Sequence, residues 1–181
     1  MSERDNKYDV EIVRGKSPLN DEIIDFIKPK IVGKYLDIGC NSGWLLSEVP
    51  RGTGVDLSKE MVNKAIDKHL IAMLVDGTDR LPFPYKSFDT VVMSCVLEQN
   101  SHWRKMLDEA LRVVRVKVIG VSPYPDKSQW GRLSGTKWVK SVIKPDDLIK
   151  DYEAWIEPVN DTHYFFEIRN DDNIGLLYER N

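Results

Sequence analysis

Four short stretches place acidic or small polar residues directly after an apolar run: Asp37 to Gly43, Gly54 to Asp56, Asp76-Gly77, and Ser94 to Glu98. In the first, Gly39 and Gly43 flank Cys40, Asn41 and Ser42. Glycine lets a backbone turn sharply and approach a ligand closely, and asparagine tolerates positive φ better than most residues. The spacing is not the G-x-G-x-x-G of a dinucleotide fingerprint, and no Gly-Lys-Ser/Thr follows as in a phosphate loop. The loop therefore suits a ligand without a pyrophosphate. Its alternative reading is a bare strand-to-helix turn. Asp56 could accept both hydroxyls of a ribose, or cap the next helix together with Ser58. Asp76 could accept from an adenine amino group, or close an Asx turn. Three acidic ends, with no basic residue in the first loop, fit a ligand with a ribose, an amine and a positive charge. They do not fit a polyphosphate.

The elements that would position these residues follow from apolar periodicity. Met1–Lys16 reads as an N-terminal arm. A helix begins at Ser17-Pro18, shows Ile23, Ile24 and Ile27 on one face, and ends at Pro29. Strands are expected over Lys34–Gly39, Thr53–Leu57, Ile71–Val75, Phe88–Cys95 and Val116–Val121. Helices are expected at Trp44–Val49, after Ser58, and over His102–Val114. The prolines of Leu81–Pro84 make that stretch a loop. Tyr124–Gly135 is a loop as well, and Pro145 opens a helix that runs through Trp155. Thr162–Arg169 and Ile174–Glu179 read as a closing hairpin turned at Asn170–Asn173. The order predicts a Rossmann-like three-layer α/β sandwich, with a mainly parallel seven-stranded sheet and an antiparallel C-terminal hairpin strand.

The chain has 181 residues, a formal net charge of −3 and 41% hydrophobic residues. That length is expected to form one domain, residues 1–181, with its own core. The acidic balance argues against nucleic-acid binding by overall charge. Cys40 and Cys95 are too few for a disulfide framework, and the N-terminal residues do not resemble a secretory signal. No apolar run reaches the roughly 18–20 residues of a membrane span. A reducing, cytoplasmic setting is expected.

Taken together, the motifs resemble those of class I S-adenosylmethionine-dependent methyltransferases. Leu36-Asp37-Ile38-Gly39-Cys40-Asn41-Ser42-Gly43 is similar to the family's first motif, with Asn41 where a central glycine is usual. Gly54-Val55-Asp56-Leu57-Ser58, followed by Met61, is similar to the second. Asp76 to Pro84, Ser87-Phe88-Asp89 and Val96-Leu97-Glu98 resemble the ubiquinone and menaquinone biosynthesis branch, with Gln99 where that branch often has histidine. The resemblance covers about Tyr35 to Val121. It implies S-adenosylmethionine as cofactor and S-adenosylhomocysteine as product. It further implies that Asp37 holds the cofactor's amino group and that Gly39, Cys40, Asn41 and Gly43 wrap its methionine part. Asp56 would hold the ribose, Leu57 and Met61 would lie against the adenine, and Asp76 would meet the adenine amino group beside Gly77. Ser94 and Cys95 would lie near the sulfonium.

Methyl transfer is an in-line displacement in which alignment carries much of the rate, so a base is needed only where the acceptor must lose a proton. Candidate catalytic residues are Glu98 and His102, about one helical turn apart, and Tyr124 after the fifth strand. The competing role for His102 is decoration of an exposed helix start. His69, His102 and His163 lack metal-ligand spacing, so no metal is expected. Residues 122–150 are the expected acceptor-recognition segment. A small-molecule acceptor is favoured. The alternatives are an RNA substrate, met through the basic and tryptophan-bearing residues 127–150, and a non-catalytic S-adenosylmethionine-binding partner or regulatory protein. The sequence does not set the oligomeric state.

Overall fold

A computed structural model describes residues 18–77, 80–125 and 142–170. Helix α1 (Pro18–Ile27) runs into a 3-10 turn, Lys28–Lys30, where Pro29 cannot continue the helix. There follow β1 (Tyr35–Ile38), α2 (Trp44–Glu48), β2 (Gly52–Asp56), α3 (Lys59–Asp67), β3 (Ala72–Leu74) and β4 (Phe88–Ser94). A 3-10 turn, Leu97–Gln99, leads to α4 (Trp103–Val113), β5 (Val114–Pro123), α5 (Pro145–Tyr152), β6 (Trp155–Pro158) and β7 (His163–Arg169). The seven strands form one sheet in the order β3-β2-β1-β4-β5-β7-β6. From β3 to β5 every pairing is parallel. Strand β7 lies antiparallel to both β5 and β6. The expected architecture is thus present.

Alternation along the central strands explains the layers. Leu36, Ile38, Val91, Met93 and Val118 face one core, with Trp103, Leu107 and Leu148 of α4 and α5 packed on it. Tyr35, Val92, Ile119 and Val121 face the other, with Ile23, Ile27, Leu45 and Leu46 of α1 and α2. A strand buried on both faces is apolar throughout, as the central sequences are. In α4 the buried residues are Trp103, Met106, Leu107, Ala110 and Val113, a single helical stripe. At the β3 edge, Leu57, Ile66, Ile71, Met73 and Leu74 are exposed.

Two expectations are corrected at the C-terminal end. The helix from Pro145 stops at Tyr152, and Trp155 opens a strand instead. Glu153 adopts the left-handed conformation, φ 53°, and its amide closes the helix on Ile149. The hairpin also lies earlier than expected: β7 pairs with Trp155–Pro158. The expected strand Ile174–Glu179 lies outside the described residues, as do the arm Met1–Lys16, residue Ser17 and most of the basic segment, residues 126–141.

Candidate functional site

Chain order in the sheet reverses between β1 and β4, because β2 and β3 lie to one side of β1 and β4 to β7 to the other. Open parallel sheets bind ligands in the crevice outside the carboxyl ends of the strands at such a point. Four of the singled-out stretches converge there. Asp37 sits in β1 and is 5% exposed. The following loop folds back onto β2: the amides of Gly39 and Cys40 both donate to the Val55 carbonyl, at 2.8 and 3.1 Å. Gly39, Asn41 and Gly43 all have positive φ, at 78°, 51° and 78°. Asn41 therefore fills a left-handed position of the kind glycine usually takes. Its Oδ1 accepts from the Ser42 amide at 2.6 Å.

Asp56, at the end of β2, locks this loop. Its carboxylate accepts from the Asn41 amide at 2.8 Å and from the Ser58 amide at 2.8 Å. Ser58 caps α3 with its own hydroxyl, accepting from the Met61 amide at 3.3 Å. Burial raises the Asp56 carboxyl above its ordinary range, and the backbone amides partly offset that. For Asp37, burial and the neighbouring Asp56 charge push the carboxyl up to about 7. Lys68 of the α3 C-cap donates to the Ser42 carbonyl at 2.8 Å, so a cation does touch the loop, through its backbone.

Leu57 is 64% exposed at the site, whereas Met61 is buried to 1% within the α3 packing. Asp76 follows β3, and a Cβ on Gly77 would come within 3.1 Å of both Ile38 and Met106. That glycine therefore permits close packing of the chain against the end of β1. On the other side of the switch point Ser94 ends β4, and Cys95 takes φ 52° while donating its amide to Val121 at 2.8 Å. Cys40 and Cys95 are both free thiols, and burial raises both. Glu98 is 2% exposed. Its neighbour in sequence, His102, is exposed at the start of α4, where Ser101 contacts its Nδ1 at 3.2 Å. The fold thus separates the two in environment, with Glu98 inside and His102 at the surface. Tyr124 is partly buried, its ring 5.2 Å from that of Tyr164. Sequence reasoning did not single out Tyr164, which, like Ser122 at the start of the expected acceptor-recognition segment, is fully buried beside this end of the sheet. Among the described residues no group of three or more His, Cys, Asp or Glu side chains could hold a metal ion. No helix among them is long and apolar enough to cross a membrane.

The loop gives a testable dependence on one atom. A Cβ on Gly39 would stand 2.7 Å from Val96 Cγ2, at a φ that side chains rarely adopt. Gly39→Ala is expected to lower stability by about 2 kcal/mol. In a chain of this length that is a fall of roughly 4–8 °C in Tm, to be read by thermal melting.

Residues 36–119 match the family described as a methyltransferase domain. An uncharacterized protein of Methanocaldococcus jannaschii is 35% identical over 83 residues, covering 46% of this chain and 40% of that one. A second from the same organism is 32% identical over 80 residues, 44% of this chain and 32% of the other. The chain thus spans less than half the length of these curated relatives. Among solved structures, a Thermotoga maritima S-adenosylmethionine-dependent methyltransferase, described as a possible histamine N-methyltransferase, superposes with a TM-score of 0.74. It shares 12% identity over 92% of this chain and 96% of that one. A putative methyltransferase of Haloferax volcanii, solved in complex with the Trm112 methyltransferase activator, gives a TM-score of 0.76. It shares 14% identity over 94% of this chain and 98% of that one. The described fold is the Rossmann-like fold of these methyltransferases, and a methyltransferase domain match runs from β1 into β5.

Proposed function

We propose that the chain is an S-adenosylmethionine-dependent methyltransferase that binds its cofactor across the β1–β4 switch point. The observation that carries this reading is the Asp37–Asp56 pair, a buried and a half-buried carboxylate at adjacent strand ends, joined through a loop of three positive-φ residues. Two such groups in one desolvated crevice suit a ligand that brings positive charge and hydroxyl donors. They would repel a polyphosphate. The residues present therefore fit S-adenosylmethionine.

Bound there, S-adenosylmethionine supplies a methyl group made electrophilic by a positively charged sulfur. Asp37 takes the amino group, and the peptide units of Gly39 to Gly43 enclose the methionine part. Asp56 accepts from the ribose with the lone pairs that its two amide bonds leave open. Leu57 supplies an exposed apolar surface for the adenine, and Asp76 with Gly77 meets its edge. Met61 supports that wall from inside. Ser94 and Cys95 border the reacting end, where the buried core beneath β4 limits water. The stretch from Asp76 to Pro84, with Val96-Leu97-Glu98, supports kinship with the ubiquinone and menaquinone branch. The net charge of −3 supports a small-molecule acceptor over a nucleic acid.

Calorimetric titration with S-adenosylmethionine and S-adenosylhomocysteine tests the reading. Micromolar binding of either, without competition by NADH, is the expected result. Absence of binding to the folded chain would reject it. A second reading, in which turnover requires a protein partner, is supported by the exposed apolar side chains along the β3 edge. Turnover of an accepted substrate by the purified chain alone would reject that reading.

A further inference from the structure

Beside the cofactor crevice, the ends of β4 and β5 hold buried polar groups with nothing to bond. Glu98, in the turn after β4, is 2% exposed, and neither carboxylate oxygen has a hydrogen-bond partner. Ser122, near the end of β5, is fully buried, and its Oγ likewise has none. Ser122 pairs across the sheet with Tyr164, so both side chains point to the same face. The Tyr164 hydroxyl is already committed, donating to the Ile143 carbonyl at 3.0 Å. Its ring and that of Tyr124 lie 5.2 Å apart with a 49° tilt. The Cys95 amide donates to the Val121 carbonyl at 2.8 Å, and Gln99 Nε2 donates back to the Cys95 carbonyl at 2.6 Å, so the turn that carries Glu98 is folded beside the end of β5.

Buried acceptors without donors are costly, and a carboxylate is the costliest of them. An ionised carboxylate only accepts, a serine hydroxyl both donates and accepts, and aromatic faces attract cations. The missing complement is thus a group with N–H donors and positive charge. A neutral ether, an aliphatic carbon or an anion would leave Glu98 as unsatisfied as before.

We propose that Glu98, Ser122 and the Tyr124–Tyr164 ring pair form the acceptor subsite of this domain, and that it takes an amine, bound as its ammonium. The proposal rests on the methyltransferase reading for the word acceptor, but not for the binding chemistry. An ammonium nitrogen has no free electron pair and must shed a proton before it can react. Glu98 is placed to receive it: the N–H bond breaks, an O–H bond forms on the carboxylate, and the pair stays on nitrogen. Burial pushes the Glu98 carboxyl up to about 7, close to where such an exchange is balanced. The titratable groups facing it are the Cys95 thiol and the Tyr164 phenol, both raised by burial and so uncharged near neutral pH.

The test uses benzylamine as probe and benzyl alcohol as its neutral counterpart. Each is titrated by calorimetry into the full chain, with and without S-adenosylhomocysteine. Benzylamine is expected to bind and benzyl alcohol to bind at least tenfold more weakly. Glu98→Gln should lower benzylamine affinity at least tenfold and leave S-adenosylhomocysteine affinity unchanged. Ser122→Ala, which removes the buried hydroxyl beside Tyr164, should lower it about threefold without perturbing the fold. Carbon-detected NMR of the Glu98 carboxyl should show its titration midpoint fall when benzylamine is added. Equal binding of amine and alcohol, equal binding by Glu98→Gln, or an unmoved Glu98 midpoint would each overturn the proposal. Glu98-dependent amine binding without S-adenosylhomocysteine binding would instead reject the cofactor reading and leave the amine site standing.

Discussion

Asp56→Ala is expected to weaken S-adenosylmethionine binding at least about a hundredfold. Two contributions add. The ribose loses a charged acceptor, and hydrogen bonds to charged groups contribute about 1.5–3 kcal/mol each. The loop also loses its anchor, because the same carboxylate holds the Asn41 and Ser58 amides at 2.8 Å. Without it, the left-handed Asn41 has less to hold it at φ 51°, and the loop must be ordered when the ligand binds. The melting temperature should fall too, by an amount corresponding to about 2 kcal/mol. Asp56→Asn separates the two effects. Its remaining carbonyl oxygen can still accept one amide, so most of the stability should return, while ribose binding stays weakened about tenfold. Calorimetry and thermal melting of both variants give the answer. An unchanged affinity in folded Asp56→Ala would mean that the ribose is held elsewhere.

The residues behind this prediction were legible in the sequence because they depend on position along strands. An apolar run followed by Asp-x-Gly, then a second ending in Asp56, needs only strand periodicity and the preference for ligands at carboxyl ends. The left-handed loop was legible for a similar local reason, since Gly39, Asn41 and Gly43 are the residue types that accept positive φ. The misassignments arose where the local signal was atypical. Helix α5 ends on Glu153, a left-handed position without glycine, so nothing marked a stop before Trp155. The hairpin turn is built by the Asn160 side chain, whose Oδ1 accepts from the Thr162 amide, the Thr162 hydroxyl and the His163 amide. Asn170–Asn173 offered a more conspicuous turn composition and drew the expectation away. The sequence marks Glu98 as a candidate catalytic residue and Ser122 as the start of the expected acceptor-recognition segment, but it does not show that either is buried. Their burial without partners is a product of tertiary packing, which no local pattern encodes. The same packing separates Glu98 from His102, which sequence spacing alone had set together.

Asp37 makes the strongest case for a group whose ionisation belongs to the ligand. Burial and the Asp56 charge hold its carboxyl at about 7, against about 3.9 in an unfolded chain. The folded state therefore keeps a proton that the unfolded state has lost, and folding stability falls as pH rises from about 4 to about 7. At about 1.4 kcal/mol per tenfold change, the cost at pH 8 approaches about 4 kcal/mol. Asn at this position has no charge to bury. Asp37→Asn should thus match the parent chain near pH 4 and exceed it in Tm at pH 8, by a few degrees or more. Binding should move the opposite way. An α-amino group has an ordinary pKa of about 7.7–8.0 and stays protonated below pH 7, so an ionised Asp37 is its partner. Between pH 7 and 5.5 the affinity for S-adenosylmethionine should drop roughly fifteenfold, with a proton released on binding. In Asp37→Asn the dependence should flatten, and the affinity at pH 8 should be ten- to a hundredfold weaker. Calorimetry in buffers of different ionisation enthalpy reads both the affinity and the proton. A parent chain whose affinity is flat across this range would show that Asp37 is already ionised, and that the amino group is held by another residue. A variant more stable and less able to bind would show that this buried charge is retained for the ligand and at the expense of the fold.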